Sequence, residues 1–103
     1  MKDLTIYLSG PISSAPDFKA NFASAEKFLL RFNPRRILNP TIFPPGWDYH
    51  EYMAHCMLMV QHADVIVTLD MAAHSPGSRA EVAYAHSLKK QVRTLAEFHL
   101  LQT

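Results

Sequence analysis

The sequence predicts an α/β protein: an open parallel sheet of about four strands with helices on both faces. First, short β-branched or apolar runs alternate with longer segments whose apolar residues recur every three or four positions. Second, the connections between these segments are short. Third, the run at residues 63–70 is apolar along most of its length, as in strands buried on both faces of a parallel sheet.

The first half of the chain predicts two strands and two helices. Residues 4–8 are β-branched, aromatic or leucine and precede a Gly-Pro turn, which indicates a strand. Residues 17–32 form a helix with one apolar stripe, ended by an Asn-Pro pair. Residues 37–38 form a brief second strand. After a proline-rich loop, Asp48 is expected to cap a helix that runs to about residue 62.

The second half completes the alternation. Residues 63–70 form the clearest strand. A helix follows at residues 76–90 and begins with Pro76. Proline is tolerated at the first helical position because the N–H that it lacks would have no acceptor within the helix. Residues 91–95 form a fourth strand, and the remainder is a tail of one or two helical turns.

Right-handed crossovers and short connections favour the strand order 2-1-3-4, a Rossmann-like or flavodoxin-like arrangement. In that order the first and third strands are neighbours, and their carboxyl ends border the crevice where such sheets bind ligands. Residues 1–103 are expected to form a single domain.

Composition narrows the function classes. Ten basic and nine acidic residues give a net charge of +1, which does not favour binding to a nucleic-acid polymer. The six histidines show no ligand spacing, so no metal site is expected. The single cysteine suits a reducing compartment, and no apolar run approaches membrane-spanning length, so we expect a cytoplasmic protein.

The small size of the chain also bears on assembly. A domain of 103 residues forms only a shallow crevice and leaves much of its surface uncovered. We therefore expect a homo-oligomer built from dimers.

Two loops carry turn-forming and hydroxyl residues at the predicted crevice. The first contains Ser9, Gly10, Pro11, Ile12, Ser13 and Ser14, and the second contains Ser75, Pro76, Gly77 and Ser78. Their backbone N–H groups and hydroxyls suit phosphate or carboxylate oxygens. The alternative is that these residues only form turns and helix caps.

Four further residues are candidates for the site. Glu81 lies in the first turns of its predicted helix, where the dipole favours an ionised carboxylate that can act as a nucleophile; the alternative is a helix-stabilising glutamate. Tyr7 ends the first strand and is either a crevice residue or a core tyrosine. Trp47, with Tyr49, either forms an aromatic wall for a base or anchors its loop.

Three segments together resemble the nucleoside 2-deoxyribosyltransferase-like superfamily, in particular its small phage and bacterial members. They are Ile6-Tyr7-Leu8-Ser9-Gly10-Pro11-Ile12, then Ala63-Asp64-Val65-Ile66-Val67, then Ser75-x-Gly77-x-x-x-Glu81 followed by Ala83-Tyr84-Ala85. The resemblance covers nearly the whole chain. It implies that Glu81 attacks the anomeric carbon of a nucleoside or nucleotide, that Tyr7 orients Glu81, and that Ser75 helps to hold a 5′-phosphate.

The chain departs from the superfamily at one position. Members of the superfamily usually carry an aspartate that assists proton transfer to the leaving base, and here Cys56 stands at that place, where it would contact the substrate. A thiol of ordinary pKa is a weaker acid for this step. Asp70, at the end of the third strand, or His55 could substitute only with some rearrangement.

The sequence therefore leaves two hypotheses. The first is an N-glycosidase or deoxyribosyltransferase that needs no organic cofactor and acts on a nucleotide or nucleoside through Glu81. The second is a non-catalytic nucleotide-binding module that sequesters or senses its ligand. The thiol at position 56 weakens catalysis without harming phosphate binding and so distinguishes the two hypotheses.

Overall fold

A computed structural model describes residues 2–13 and 15–101 of the chain. Strands and helices alternate in the described residues. In chain order they are β1 Thr5–Ser9, α1 Phe18–Leu29, β2 Arg36–Leu38, α2 Tyr49–His62, β3 Val65–Thr68, α3 Pro76–Ser87, β4 Gln91–Thr94 and α4 Leu95–Leu101.

The four strands form one parallel sheet in the order β2-β1-β3-β4, which confirms the predicted Rossmann-like arrangement. Tyr7 of β1 lies between Leu38 of β2 and Ile66 of β3. Ser9, the last residue of β1, pairs with Thr68, the last residue of β3. The carboxyl ends of β1 and β3 therefore lie side by side, as the predicted strand order requires.

Alternate residues of β1 contribute to two hydrophobic cores on opposite faces of the sheet. Ile6 and Leu8 belong to the first core, where α1 and α4 contribute Phe22, Ala25, Leu29 and Phe98. Tyr7 belongs to the second core, where α2 and α3 contribute Cys56, Val60 and Ala85. Helices thus cover both faces of the sheet, and Tyr7 is directed to the α2–α3 side.

Local sequence explains where α2 and α3 begin. Asp48 caps α2 by accepting a 2.8 Å hydrogen bond from the N–H of Glu51, and the Glu51 side chain accepts from the N–H of Asp48. Ser75 caps α3, and Pro76 occupies its first position. Both predicted helix starts are observed.

One predicted helix end is confirmed and another is wrong. The helix predicted over residues 17–32 is an α-helix to Leu29 and a 3₁₀ turn from Leu30 to Phe32, and it ends at Asn33, whose backbone is left-handed, as the predicted Asn-Pro stop requires. The helix predicted to reach residue 90 ends at Ser87, and Lys89 likewise has a positive φ of 60°. Single left-handed residues end both segments, and lysine gives little sequence signal for that conformation. None of the helices in the described ranges is both long and apolar enough to cross a membrane.

Candidate functional site

Two side chains of β1 hold the carboxylate of Glu81. The hydroxyl of Tyr7 donates a 2.8 Å hydrogen bond to Oε2, and the hydroxyl of Ser9 donates a 2.7 Å hydrogen bond to Oε1. Residues two apart on a strand share a face, so one strand presents both donors to α3. Each oxygen of Glu81 therefore has a fixed donor, and the orientation of the carboxylate is determined by β1.

Burial, and not the helix dipole, dominates the acidity of Glu81. Counted from Pro76, Glu81 is the sixth residue of α3, beyond the first turn where the dipole acts, and it is 4% exposed. Burial raises the pKa of Glu81, while hydrogen bonds from Ser9, Tyr7 and Cys56 oppose the rise without cancelling it. The predicted effect, an ionised form favoured by the helix terminus, is therefore wrong in direction.

Glu81 faces a cavity of about 600 Å³, a volume within the usual range of ligand pockets, about 300–1,000 Å³. The cavity lies at the carboxyl end of β1, between α2 and the start of α3. Its lining comprises Tyr7, Gly10, Ile12, Ser13, Pro40, Trp47, Tyr49, Tyr52, Met53, Ser75, Pro76, Gly77, Ser78 and Glu81.

The structure brings most of the predicted site residues to this cavity. Those in its lining are Tyr7, Gly10, Ile12, Ser13, Trp47, Ser75, Gly77, Ser78 and Glu81. Ser9 is fully buried, and its hydroxyl donates to Glu81. The candidate hydroxyl of Ser14 lies outside the described residues.

Pro11 and Asp70 lie elsewhere. Both line a different cavity of about 640 Å³, on the α1 and α4 side of the sheet, where Asp70 is exposed. The segment after β3 turns at Met71, which has a left-handed backbone with φ 66°. The structure does not bring Asp70 to Glu81, so its placement gives no support to the predicted catalytic role.

Cys56 lies beneath the cavity and is not among its lining residues. It is fully buried in the core beside Tyr7, on the side of α2 that faces the sheet. Burial raises the pKa of Cys56 to about 12, although hydrogen bonds with Tyr7 and Tyr52 act to lower it. Burial, together with the neighbouring charges, also raises the pKa of both tyrosines. The groups around Glu81 are therefore protonated near neutral pH and can only donate to it.

Two lining residues of α2, Tyr52 and Met53, were missed as site residues from the sequence. With Tyr49 and Cys56 they occupy helical positions i, i+3, i+4 and i+7, which lie on one face of a helix. Because Tyr49 is a site candidate from the sequence, this spacing could have indicated that Tyr52 and Met53 also face the site.

Aromatic packing fixes the wall of the cavity opposite the sheet. The Trp47 ring stacks on Phe43 with centroids 4.9 Å apart, and its other contact is the ring of His55 at 4.6 Å. Tyr52 meets Phe43 edge to face at 5.8 Å. Trp47 thus anchors its loop and also lines the cavity, so the two alternatives for this residue do not exclude one another.

The start of α3 supplies polar groups to the same cavity. The Ser75 hydroxyl accepts a 3.3 Å hydrogen bond from the N–H of Ser78, as a helix cap does. The Ser78 hydroxyl is buried and has no hydrogen-bond partner within residues 2–13 and 15–101. Gly77 lies against α2, since an added Cβ there would sit 3.4 Å from the sulfur of Met53. Among the described residues no group of three or more acidic, cysteine or histidine side chains could hold a metal ion.

Comparisons with known proteins agree with this fold. A family model described as "Domain of unknown function (DUF4406)" matches residues 4–94. A solved structure titled "2-desoxiribosyltransferase from Leishmania mexicana" matches with a TM-score of 0.69 and 23% sequence identity. The match covers 88% of this chain but 63% of that one, so this chain spans less than two thirds of its neighbour. A search of curated proteins found no match. The chain has the nucleoside 2-deoxyribosyltransferase-like fold that the resemblance implied.

Proposed function

The chain belongs to the DUF4406 family, and we propose that it cleaves or transfers the N-glycosidic bond of a nucleoside or nucleotide, with Glu81 as the nucleophile. The observation that carries this proposal is the Glu81 carboxylate, which lines a ligand-sized cavity and is held at both oxygens by β1. The L. mexicana structure, which is described as a deoxyribosyltransferase and has the same fold, supports it.

The proposed reaction uses the fixed carboxylate in two steps. An oxygen of Glu81 bonds to the anomeric carbon of the sugar while the bond from that carbon to the base breaks, and the bonding electrons leave with the base. Water or a second base then bonds to the anomeric carbon and gives up a proton, and the ester electrons return to Glu81. A base that left as an anion takes up one proton from solvent. Donation by Tyr7 and Ser9 keeps the carboxylate oriented through both steps.

The remaining lining residues suit the two ends of such a substrate. Trp47, Tyr49 and Tyr52 offer aromatic surface to a base. The start of α3, with its backbone N–H groups and the unpartnered Ser78 hydroxyl, suits sugar hydroxyls or a 5′-phosphate. No organic cofactor enters the proposed steps.

The test is release of free base from a panel of nucleosides and nucleoside 5′-monophosphates, followed by chromatography. Glu81→Gln should reduce turnover by about three orders of magnitude or more, because the amide keeps the shape but cannot form the ester. Glu97→Gln is the matched control, since Glu97 of α4 is exposed and pairs with the exposed side chain of Arg93 of β4. Turnover that persists in Glu81→Gln would contradict the proposal.

A second candidate function is a non-catalytic nucleotide-binding module. The observation that favours it is the burial of Cys56, whose pKa of about 12 makes the thiol a poor acid for a leaving base. In that case wild-type protein releases no base, and Glu81→Gln changes ligand affinity by less than about tenfold.

We also propose that the protein assembles as a homo-oligomer built from dimers. Several apolar side chains are exposed, among them Ile42, Leu58 and Leu100. Sedimentation at micromolar concentration should give at least twice the 11.7 kDa chain mass. A strict monomer would contradict the proposal.

A further inference from the structure

We propose that the preferred substrate is an N-glycoside whose base already carries a positive charge, such as a pyridinium nucleoside or nucleotide. This inference rests on the proposed function and names the substrate class for the same cavity. Three independent features of the site carry it: the charge of its lining, its aromatic wall, and the groups available to the leaving base.

The charge of the lining favours a cation. Thirteen of the fourteen described lining residues are uncharged, and the fourteenth is Glu81. A cationic ring beside Glu81 would gain a Coulombic attraction that is screened little in a partly enclosed site. A neutral base gains no such attraction, so the lining discriminates between two rings of the same size.

The aromatic wall adds to this preference. Trp47, Tyr49 and Tyr52 line the cavity, and Trp47 is held by Phe43 and His55. Aromatic faces attract cations, tryptophan most strongly, and also stack on flat heterocycles. A cationic heterocycle satisfies both interactions, whereas a neutral heterocycle satisfies only the stacking.

The way in which the base leaves also favours a cationic substrate. When a neutral purine leaves, its nitrogen takes up the bonding electrons and needs a proton, but the described lining residues include no histidine, aspartate or lysine that could supply it. When a pyridinium base leaves, the bonding electrons neutralise the ring nitrogen, so the free base departs uncharged without a proton. Water then attacks the anomeric carbon of the Glu81 ester, releases one proton to solvent and restores the carboxylate.

A cationic ligand also offsets the effect of burial on the pKa of the proposed nucleophile, Glu81. Burial raises the pKa of Glu81, and a nearby positive charge lowers it again by stabilising the carboxylate. Binding of the cation thus favours the nucleophilic form of Glu81 at the moment when the substrate is present.

The first experiment measures binding without catalysis. N1-methylnicotinamide and nicotinamide share one ring and differ in charge, so they form a matched pair of probes for the wild-type protein. We expect the cation to bind at least about tenfold more tightly. Equal affinity for the two probes would overturn the inference, and it would leave the proposed glycosidase function untouched.

The second experiment measures base release from nicotinamide riboside, 7-methylguanosine and guanosine. For each nucleoside, kcat/KM is divided by the rate constant of uncatalysed base release. We expect this ratio to be at least about tenfold higher for the cations nicotinamide riboside and 7-methylguanosine than for guanosine. Preferential cleavage of guanosine would overturn the inference. Tight binding of N1-methylnicotinamide with no base released from any nucleoside would instead contradict the proposed catalysis and retain the cation preference.

Variants assign the preference to particular side chains. In Glu81→Gln the preference for N1-methylnicotinamide over nicotinamide should fall below about threefold. Trp47→Phe should retain most of the preference and Trp47→Ala should lose affinity for both probes, because phenylalanine keeps an aromatic face on Phe43. A tenfold preference that survives Glu81→Gln would show that the carboxylate does not select the cation.

Discussion

Tyr7 and Glu81 are 74 residues apart in sequence, yet the buried Tyr7 hydroxyl donates a 2.8 Å hydrogen bond to Oε2 of buried Glu81. The tyrosine comes from the middle of β1 and the glutamate from the second turn of α3. Because both groups are buried, this contact links the stability of the fold to the ionisation of the proposed nucleophile.

Removing that contact should shift the pH dependence of turnover. The hydrogen bond from Tyr7 lowers the pKa of Glu81, so Tyr7→Phe should raise it and move the acidic limb of the pH–rate profile to higher pH. Turnover at neutral pH should fall by about tenfold or more. Tyr84→Phe is the matched control, since the Tyr84 hydroxyl bonds Gln61 away from the cavity. An acidic limb that does not move in Tyr7→Phe would argue against Tyr7 as the positioning residue.

Glu81 should oppose folding increasingly as pH rises. Its pKa in the folded protein is raised above the unfolded value, so the folded state holds more protons and loses stability as pH increases through the folded pKa. The melting temperature of Glu81→Gln relative to wild type should therefore rise between pH 4 and pH 8, because the amide does not ionise. Calorimetry at the two pH values is the measurement. A larger difference at pH 4 would reverse the assigned sign.

Cys56 should resist alkylation in the folded protein. Burial raises its pKa to about 12, so at pH 8 the thiolate that reacts with iodoacetamide is scarce as well as inaccessible. The labelling rate, followed by intact mass, should be less than about 1% of the rate in denaturant. Because the chain has one cysteine, the mass shift identifies the site without digestion. Comparable rates in the folded and unfolded protein would show that the thiol is accessible.

Gly10 and Gly77 should respond differently to an added methyl group. A Cβ at position 10 would meet the Cβ of Leu69 at 2.9 Å, a contact that requires the loops after β1 and β3 to shift. A Cβ at position 77 comes no closer than 3.4 Å to another group, the flexible sulfur of Met53, and lies 3.8 Å from the Tyr49 hydroxyl. Gly10→Ala should lower Tm by about 4 °C or more, whereas Gly77→Ala should change it little. Equal melting points for the two variants would contradict the close packing at Gly10.

The sequence predicted the sheet well because its signals are local. Apolar runs, short connections and the handedness of crossovers suffice for the strand order, and Asp48 and Pro76 mark helix starts by their own chemistry. The end of α3 before Lys89 was harder to predict, because lysine seldom adopts a left-handed backbone and so gives little sequence signal for a helix end.

The sequence predicted where the site lies in the fold but not the contacts between its side chains. The strand order placed Tyr7 and Glu81 at one crevice, but the contact of Ser9 with Glu81 depends on how α3 lies across β1. Asp70 was expected near Glu81, but the chain turns at Met71, whose backbone is left-handed. Methionine gives no sequence signal for a left-handed turn. The direction of the Glu81 pKa shift depends on burial, which sequence position alone did not reveal.

The central claim is that the Glu81 carboxylate forms the covalent bond to the sugar. The most direct measurement is acid quenching during turnover of a cleavable nucleoside, followed by mass spectrometry of the intact chain and its peptides. We expect a glycosyl ester on the peptide that contains Glu81 and none in Glu81→Gln. An adduct on a different residue, or base release that is unchanged in Glu81→Gln, would contradict the claim.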